Sequence, residues 1–238
     1  KLMNKRRSFI IGIKGTKLSQ KEINFLKKYK PWGIILFSRN IKSINQTKVL
    51  TDQIKKVFKD KNYPILIDEE GGRVSRLGKF IDNSVFTGEF FSNLYNNDKR
   101  KFYIYYNVYV KQICYLLNLL GININTVPVL DVKRKITNNI IGNRSFSSNP
   151  HLVSKLGKIC INKFHENKIG TVIKHIPGHG LSTVDSHNEL PTVKQKKNLL
   201  NKIDFLPFKK QKSLLAMTAH IIYNSIDRKN TATHSKKS

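Results

Sequence analysis

The 238-residue chain is predicted to be α/β, of the (β/α)8 TIM-barrel type but incomplete, with about six βα units in a single domain spanning 1–238. Three observations carry this. A short apolar run, a loop and an amphipathic helix recur in that order. No tandem repeat or low-complexity linker interrupts them. The polar residues gather where the apolar runs end, which is where barrels of this type build their sites.

The first unit is a strand over Phe9–Ile13 and a helix from about Gln20 to Tyr29. Ser19 and Glu22 have the capping-box spacing that starts that helix, and Ile23 and Leu26 share its buried face. The second is Gly33–Phe37, then a helix over Gln46–Phe58 with Leu50, Ile54, Val57 and Phe58 apolar. The third is Ile65–Asp68, a glycine-containing loop, and a long helix from about Lys99 to Leu120, which Gly121 is suited to cap. The fourth is Ile124–Val127 with a polar loop through Asn149. Asn149 as N-cap and Pro150 at the first helical position then open a helix to about Asn167. The fifth is Thr171–Lys174, a loop to Val193 and a helical stretch over Lys194–Ile203. The sixth strand is Leu215–Thr218. A closed barrel of this type has eight strands, so the count falls two short.

Composition narrows the function classes. No stretch approaches the ~18 apolar residues of a membrane span, and the run after the basic start is too short for a signal-peptide core. A cytoplasmic protein without a membrane partner is expected. Cys114 and Cys160 both sit inside apolar helical patterns, which fits a reducing compartment and lacks zinc-site spacing. The net charge is +29, but 35 of the 44 basic residues are Lys and 9 are Arg. Nucleic-acid readers favour Arg for bidentate contacts. With abundant Asn and Ile, the charge reads as compositional drift, and no nucleic-acid partner is expected. A basic nucleic-acid-binding protein is the competing class, and a contiguous Lys stripe on the folded surface would support it.

Chemistry-bearing residues follow the strands. After the third come Asp68, Glu69, Glu70, Gly71, Gly72, Arg73 and Arg76. After the fourth come "PVLDV" (128–132) and "GNRSF" (142–146). After the fifth come "KHIPGHG" (174–180) and "DSH" (185–187), and the sixth strand ends in "MTAH" (217–220). Asp68 can accept from two hydroxyls, Arg76, Arg144 and Lys174 are cationic donors from different strands, and His175 beside Lys174 adds another donor; a rim ion-pair network is the bland alternative. Glu69 and Glu70 are adjacent, so their side chains diverge and cannot form the ~5 Å pair of a retaining glycosidase. Glu70 is expected to brace Arg73 or Arg76, and Glu69 to be solvated. Asp185 and His187 are two apart, so the carboxylate can hold the imidazole as a tuned proton carrier; a loop salt bridge is the alternative. His179 is expected to shape its loop, and His220 and His234 to be structural. Pro177 and Gly178 break any helical ligand spacing among His175, His179, Asp185 and His187, so neither metal nor cofactor is expected.

In their order, "IDEEGGRVSRL", "PVLDV", "GNRSF", "KHIPGHG" with "DSH", and "MTAH" resemble the bacterial β-N-acetylglucosaminidases of glycoside hydrolase family 3. "GIILFSRN" (33–40) and "DFLPF" (204–208) fit the same family, and the resemblance covers nearly the whole chain. It implies removal of terminal β-linked N-acetylglucosamine from peptidoglycan-derived fragments during cell-wall recycling, by double displacement with retention. It also implies that Asp68, Arg76, Arg144, Lys174 and His175 bind substrate, and that His187 is the general acid/base with Asp185 as its partner. The substrate would be a small carbohydrate, a GlcNAc-containing muropeptide or disaccharide. The family's nucleophilic aspartate follows strand seven, beyond "MTAH". Asp227 does not match that position, so the chain reads as C-terminally truncated and inactive by itself. A sugar-binding remnant without turnover is the second reading.

Overall fold

The structure, a computed structural model, describes residues 6–134, 141–182 and 190–236. Six parallel strands form a curled sheet, an incomplete barrel, in the order β1 (Arg7–Gly12), β2 (Pro31–Leu36), β3 (Ile65–Ile67), β4 (Ile124–Asn125), β5 (Gly170–Ile176) and β7 (Leu215–Thr218). Every pairing is parallel, with Ile34 beside Ile65, Leu66 beside Ile124, and Val172 beside Leu215. A second parallel pair joins β6 (Thr192–Val193) to β8 (Ile222–Tyr223).

The helices are α1 (Gln20–Tyr29), α2 (Ile44–Phe58), α3 (Gly88–Asn97), α4 (Lys99–Leu119), α5 (Pro150–Glu166) and α6 (Lys197–Lys202). The start signals work as the sequence predicts. Ser19 and Glu22 close a capping box on α1, and Asn149 accepts from His151 and Leu152 ahead of Pro150. Gly121 takes a φ of +73° just past α4.

Two elements were not legible as periodic patterns. The segment before Lys99 contains a full helix, α3, capped by Thr87. It packs on α4 through an aromatic cluster, with Phe91 edge-on to Tyr106 and Tyr95 edge-on to Phe102. The loop after β5 contributes β6, which pairs with β8 beyond the sixth strand. Around them Leu181, Val193, Leu200, Ile221 and Tyr223 form a small core of their own.

The main core lies between the sheet and helices α1 to α5, and includes Ile34, Leu50, Ile65, Val110, Leu117 and Leu156. Strands β2 and β3 are largely or wholly buried, as a parallel sheet covered by helices requires. The strands at the sheet's two ends differ. β1 alternates between exposed and half-buried residues, and so does β7. Among the described residues no helix is long and apolar enough to cross a membrane.

Candidate active site

Strand direction puts the C-terminal ends of β2, β3, β4, β5 and β7 on one side, and there they border a cavity of roughly 400 Å³. Asp68, Arg76, Arg144, Lys174 and His175 all line it. They also form one chain of contacts. The Arg76 guanidinium lies 3.7 Å from Asp68 Oδ2, and Lys174 Nζ lies 3.2 Å from Asp68 Oδ1. Lys174 reaches Glu70 Oε1 at 2.5 Å, and Glu70 in turn accepts two bonds from Arg144, at 2.7 and 2.8 Å. Thr126 donates to Asp68 and accepts from Lys174 at 2.9 Å.

Three cations face two carboxylates in this network. Burial, the largest single influence, pushes the Asp68 and Glu70 carboxyls up, but it is outweighed by the Lys174 ammonium acting together with Thr126 at Asp68 and with Arg144 at Glu70. Asp68 is held below its ordinary range and Glu70 at about 2. Both are therefore ionised acceptors at neutral pH.

The two glutamates depart from the roles expected of them. Glu69 is not solvated; it is 1% exposed and lies under the 75–83 loop. It accepts from the backbone N–H groups of Arg76 (2.7 Å) and Leu77 (2.9 Å), from Ser75 Oγ (3.2 Å) and from Asn83. Its burial pushes its carboxyl up, against those bonds. Glu69 is thus the loop brace. The ion pairs of Glu70 among the described residues are with Arg144 and Lys174, while Arg73 is close enough to feel its charge. Adjacent residues at a strand end point to opposite sides of the sheet, so one glutamate enters the loop layer and the other the barrel interior.

Asp131, in "PVLDV", is a site residue that sequence reasoning passed over. It is wholly buried and accepts from His175 Nδ1 at 2.6 Å and from the His179 backbone N–H at 2.6 Å. A carboxylate inside an apolar run at a strand end was the signal available for it. His179 shapes its loop through that backbone bond, and its ring also borders the cavity; burial pushes the imidazole down. His220 and His234 have hydroxyl partners, Thr233 and Thr231, at 3.0 and 2.8 Å.

Asp185 and His187 lie outside the described residues. Asp227 caps its own turn, accepting from the backbone N–H groups of Lys229 and Asn230 and from Ser235, and does not line the cavity. Among the described residues no three His, Cys, Asp or Glu side chains are grouped to hold a metal ion.

Parallel strands delivering acids, cations and imidazoles into one polar pocket define a (β/α)-barrel protein with its site at the C-terminal rim. The family described as glycosyl hydrolase family 3 N-terminal domain matches residues 5–238, and the chain belongs to that family. It is 35% identical to the beta-hexosaminidase A of Pseudoalteromonas piscicida, over 85% of this chain and 35% of that protein. It is 33% identical to the beta-hexosaminidase of Alkalilimnicola ehrlichii, over 92% of this chain and 63% of that protein. The chain thus spans about a third and somewhat under two thirds of these relatives' lengths. Among solved structures it is similar to native NagZ from Neisseria gonorrhoeae, with a TM-score of 0.85 and 29% identity, over 94% of this chain and 66% of that one. The same protein in complex with N-trifluoroacetyl-D-glucosamine matches at a TM-score of 0.82, with 29% identity over 94% of this chain and 67% of that one.

Proposed function

We propose that the chain is the N-terminal barrel portion of a retaining glycoside hydrolase that removes terminal β-linked N-acetylglucosamine from peptidoglycan-derived fragments in the cytoplasm. The observation that carries this is the convergence of Asp68, Arg76, Arg144, Lys174 and His175, from the C-terminal ends of three strands and the loops after them, on one cavity. The N-acetylglucosamine analogue bound by the Neisseria protein supports the same sugar class here.

In this reading Asp68 accepts from sugar hydroxyls, and Arg76, Arg144 and Lys174 donate to ring substituents. Their mutual ion pairs hold them in place before substrate arrives, which lowers the ordering cost of binding. His187, oriented by Asp185, protonates the leaving glycosidic oxygen and then takes a proton from the attacking water.

The covalent step between these two needs a carboxylate free to attack. Asp68 and Glu70 are the carboxylates that line the cavity among the described residues, and both are bound by cations. That observation favours, as the second reading, a chain that binds the sugar without turning it over. Assay with an aryl β-N-acetylglucosaminide, with binding of N-acetylglucosamine measured in parallel, tests both. Absence of any sugar binding would refute both.

A further inference from the structure

Each carboxylate oxygen of Asp131 has a separate task. Oδ1 accepts two backbone N–H groups, those of His179 at 2.6 Å and His175 at 3.3 Å. Oδ2 faces the imidazole Nδ1 of His175 at 2.6 Å. Burial pushes the Asp131 carboxyl up, yet the His175 ring and the amide of His179 outweigh this and hold it below its ordinary range. An ionised carboxylate has no proton to give, so the proton on this bond sits on Nδ1.

A neutral imidazole carries one N–H and one bare nitrogen. With the proton on Nδ1, the other nitrogen, Nε2, is an acceptor. The ring borders the cavity, and the described residues give Nε2 no hydrogen bond. The other polar side chains reaching the cavity from β3 to β5 and the loop after it are cationic donors, the paired acceptors Asp68 and Glu70, and the imidazole of His179. We propose that Asp131 locks His175 in the Nδ1–H tautomer, so that the pocket-facing nitrogen accepts a hydrogen bond from a sugar hydroxyl instead of donating one. Asp131 is then a positioning residue that sets hydroxyl specificity through His175. The sugar half of this statement rests on the function proposed above; the tautomer half does not.

The substitution Asp131→Asn tests it with little change of shape. The amide oxygen can take the place of Oδ1 and keep both backbone N–H groups. The amide nitrogen then takes the place of Oδ2 and donates to Nδ1, which must become the bare nitrogen. The tautomer inverts and Nε2 becomes a donor.

Ring 15N NMR at about pH 8, where a free imidazole is neutral, distinguishes N–H from bare nitrogen, with His175→Gln identifying the His175 signals. The expected result is a protonated Nδ1 and bare Nε2 in the wild-type chain, and the reverse in Asp131→Asn. A wild-type Nε2–H tautomer overturns the proposal whether or not the variant folds. So does an unchanged tautomer in a folded Asp131→Asn.

N-acetylglucosamine and analogues carrying fluorine in place of one hydroxyl probe the consequence, since fluorine cannot donate. In the wild type one analogue is expected to bind about tenfold or more weakly than the parent sugar, and in Asp131→Asn that penalty disappears. An equal penalty in both proteins overturns the acceptor role. If the tautomers behave as stated and no N-acetylglucosaminide binds, the tautomer lock stands and the proposed substrate class falls.

Discussion

Glu70 grips Arg144 through both carboxylate oxygens, Oε2 to Nε at 2.7 Å and Oε1 to Nη2 at 2.8 Å. The same Oε1 lies 2.5 Å from Lys174. One buried carboxylate therefore holds two cations that come from different strand ends and would otherwise repel each other. Removing one member of a buried ion pair leaves an uncompensated charge and costs about 3–5 kcal/mol. Glu70→Ala is expected to destabilise the chain by about that amount, and Glu70→Gln by less, because the amide oxygen still accepts one bond. Urea unfolding followed by circular dichroism measures both. A change below ~1 kcal/mol for the alanine variant would show the pair to be solvent-screened.

The same residue sets an acid limit. Its carboxyl is held at about 2 in the fold, below an ordinary value of 4.5. A lowered carboxylate contributes stability that is present above its unfolded value and is lost as pH falls through the folded one. The stability gap between wild type and Glu70→Gln should hold at pH 7, then narrow between about pH 4.5 and 2. Unfolding midpoints at a series of pH values give that curve. A gap that stays constant down to pH 3 would mean that Glu70 is not the group being titrated.

Much of this site was readable before the structure because strand ends are marked by apolar runs that stop at a polar residue. Asp68, Lys174 and His175 mark such stops, Arg144 lies in the turn that ends the loop after β4, and all four line the cavity. What was not readable depends on which side of the sheet a residue takes. Glu69 and Glu70 have the same chemistry and adjacent positions, and only the loop over Glu69 and the cations under Glu70 distinguish them. Asp131 was obscured by its apolar neighbours, since a buried carboxylate reveals its purpose only through the N–H groups aimed at it. Helix α3 starts at Gly88 with no apolar period of the usual length, and its aromatic face is explained by α4 beside it. Tertiary packing decides such a short helix more than local propensity does.

Gly88 connects that helix to the site. A β-carbon there would lie 2.4 Å from the Arg144 carbonyl oxygen. Backbone cannot yield as a flexible side chain can, so Gly88→Ala should push the 142–145 turn away and draw Arg144 off Glu70. An overpacking cost of about 1–3 kcal/mol is expected. Binding of N-acetylglucosamine, followed by NMR titration, should weaken more than it does for Gly78→Ala, where a β-carbon meets nothing nearer than 3.8 Å. Equal affinities in the two variants would place Arg144 outside the binding site.

Asp204 works against stability. Neither of its carboxylate oxygens accepts a hydrogen bond among the described residues, and the Arg134 guanidinium is 3.9 Å away. Burial raises its carboxyl to about 6 from an ordinary 3.8. A raised folded value contributes stability below pH 3.8 that is lost as pH rises through 6. Asp204→Asn should therefore stabilise the chain by about 1–3 kcal/mol at pH 8 and by less at pH 5. Thermal melts at the two pH values decide it. Destabilisation at pH 8 would mean that the charge is needed by a partner.

Turnover provides the sharpest test of the proposed chemistry. The 238-residue chain should show none with an aryl β-N-acetylglucosaminide, because both described carboxylates on the cavity are committed to cations. A chain extended with the downstream strands of a close relative supplies a further carboxylate and should be active. In that active form, His187→Ala removes the proposed proton donor. Protonation matters most when the leaving oxygen is a poor anion, so turnover of an alkyl glycoside should fall by about 10²–10⁴-fold. An aryl glycoside with a good leaving group needs little protonation, and the formation of its glycosyl-enzyme should be much less affected. Asp185→Asn should follow the same order with a smaller loss, since it leaves the imidazole present but poorly oriented. Equal losses for both leaving-group classes would remove His187 from the acid role. Substantial turnover by the unextended chain would mean that a carboxylate already present attacks the sugar, and Asp227→Asn would be the first substitution to make.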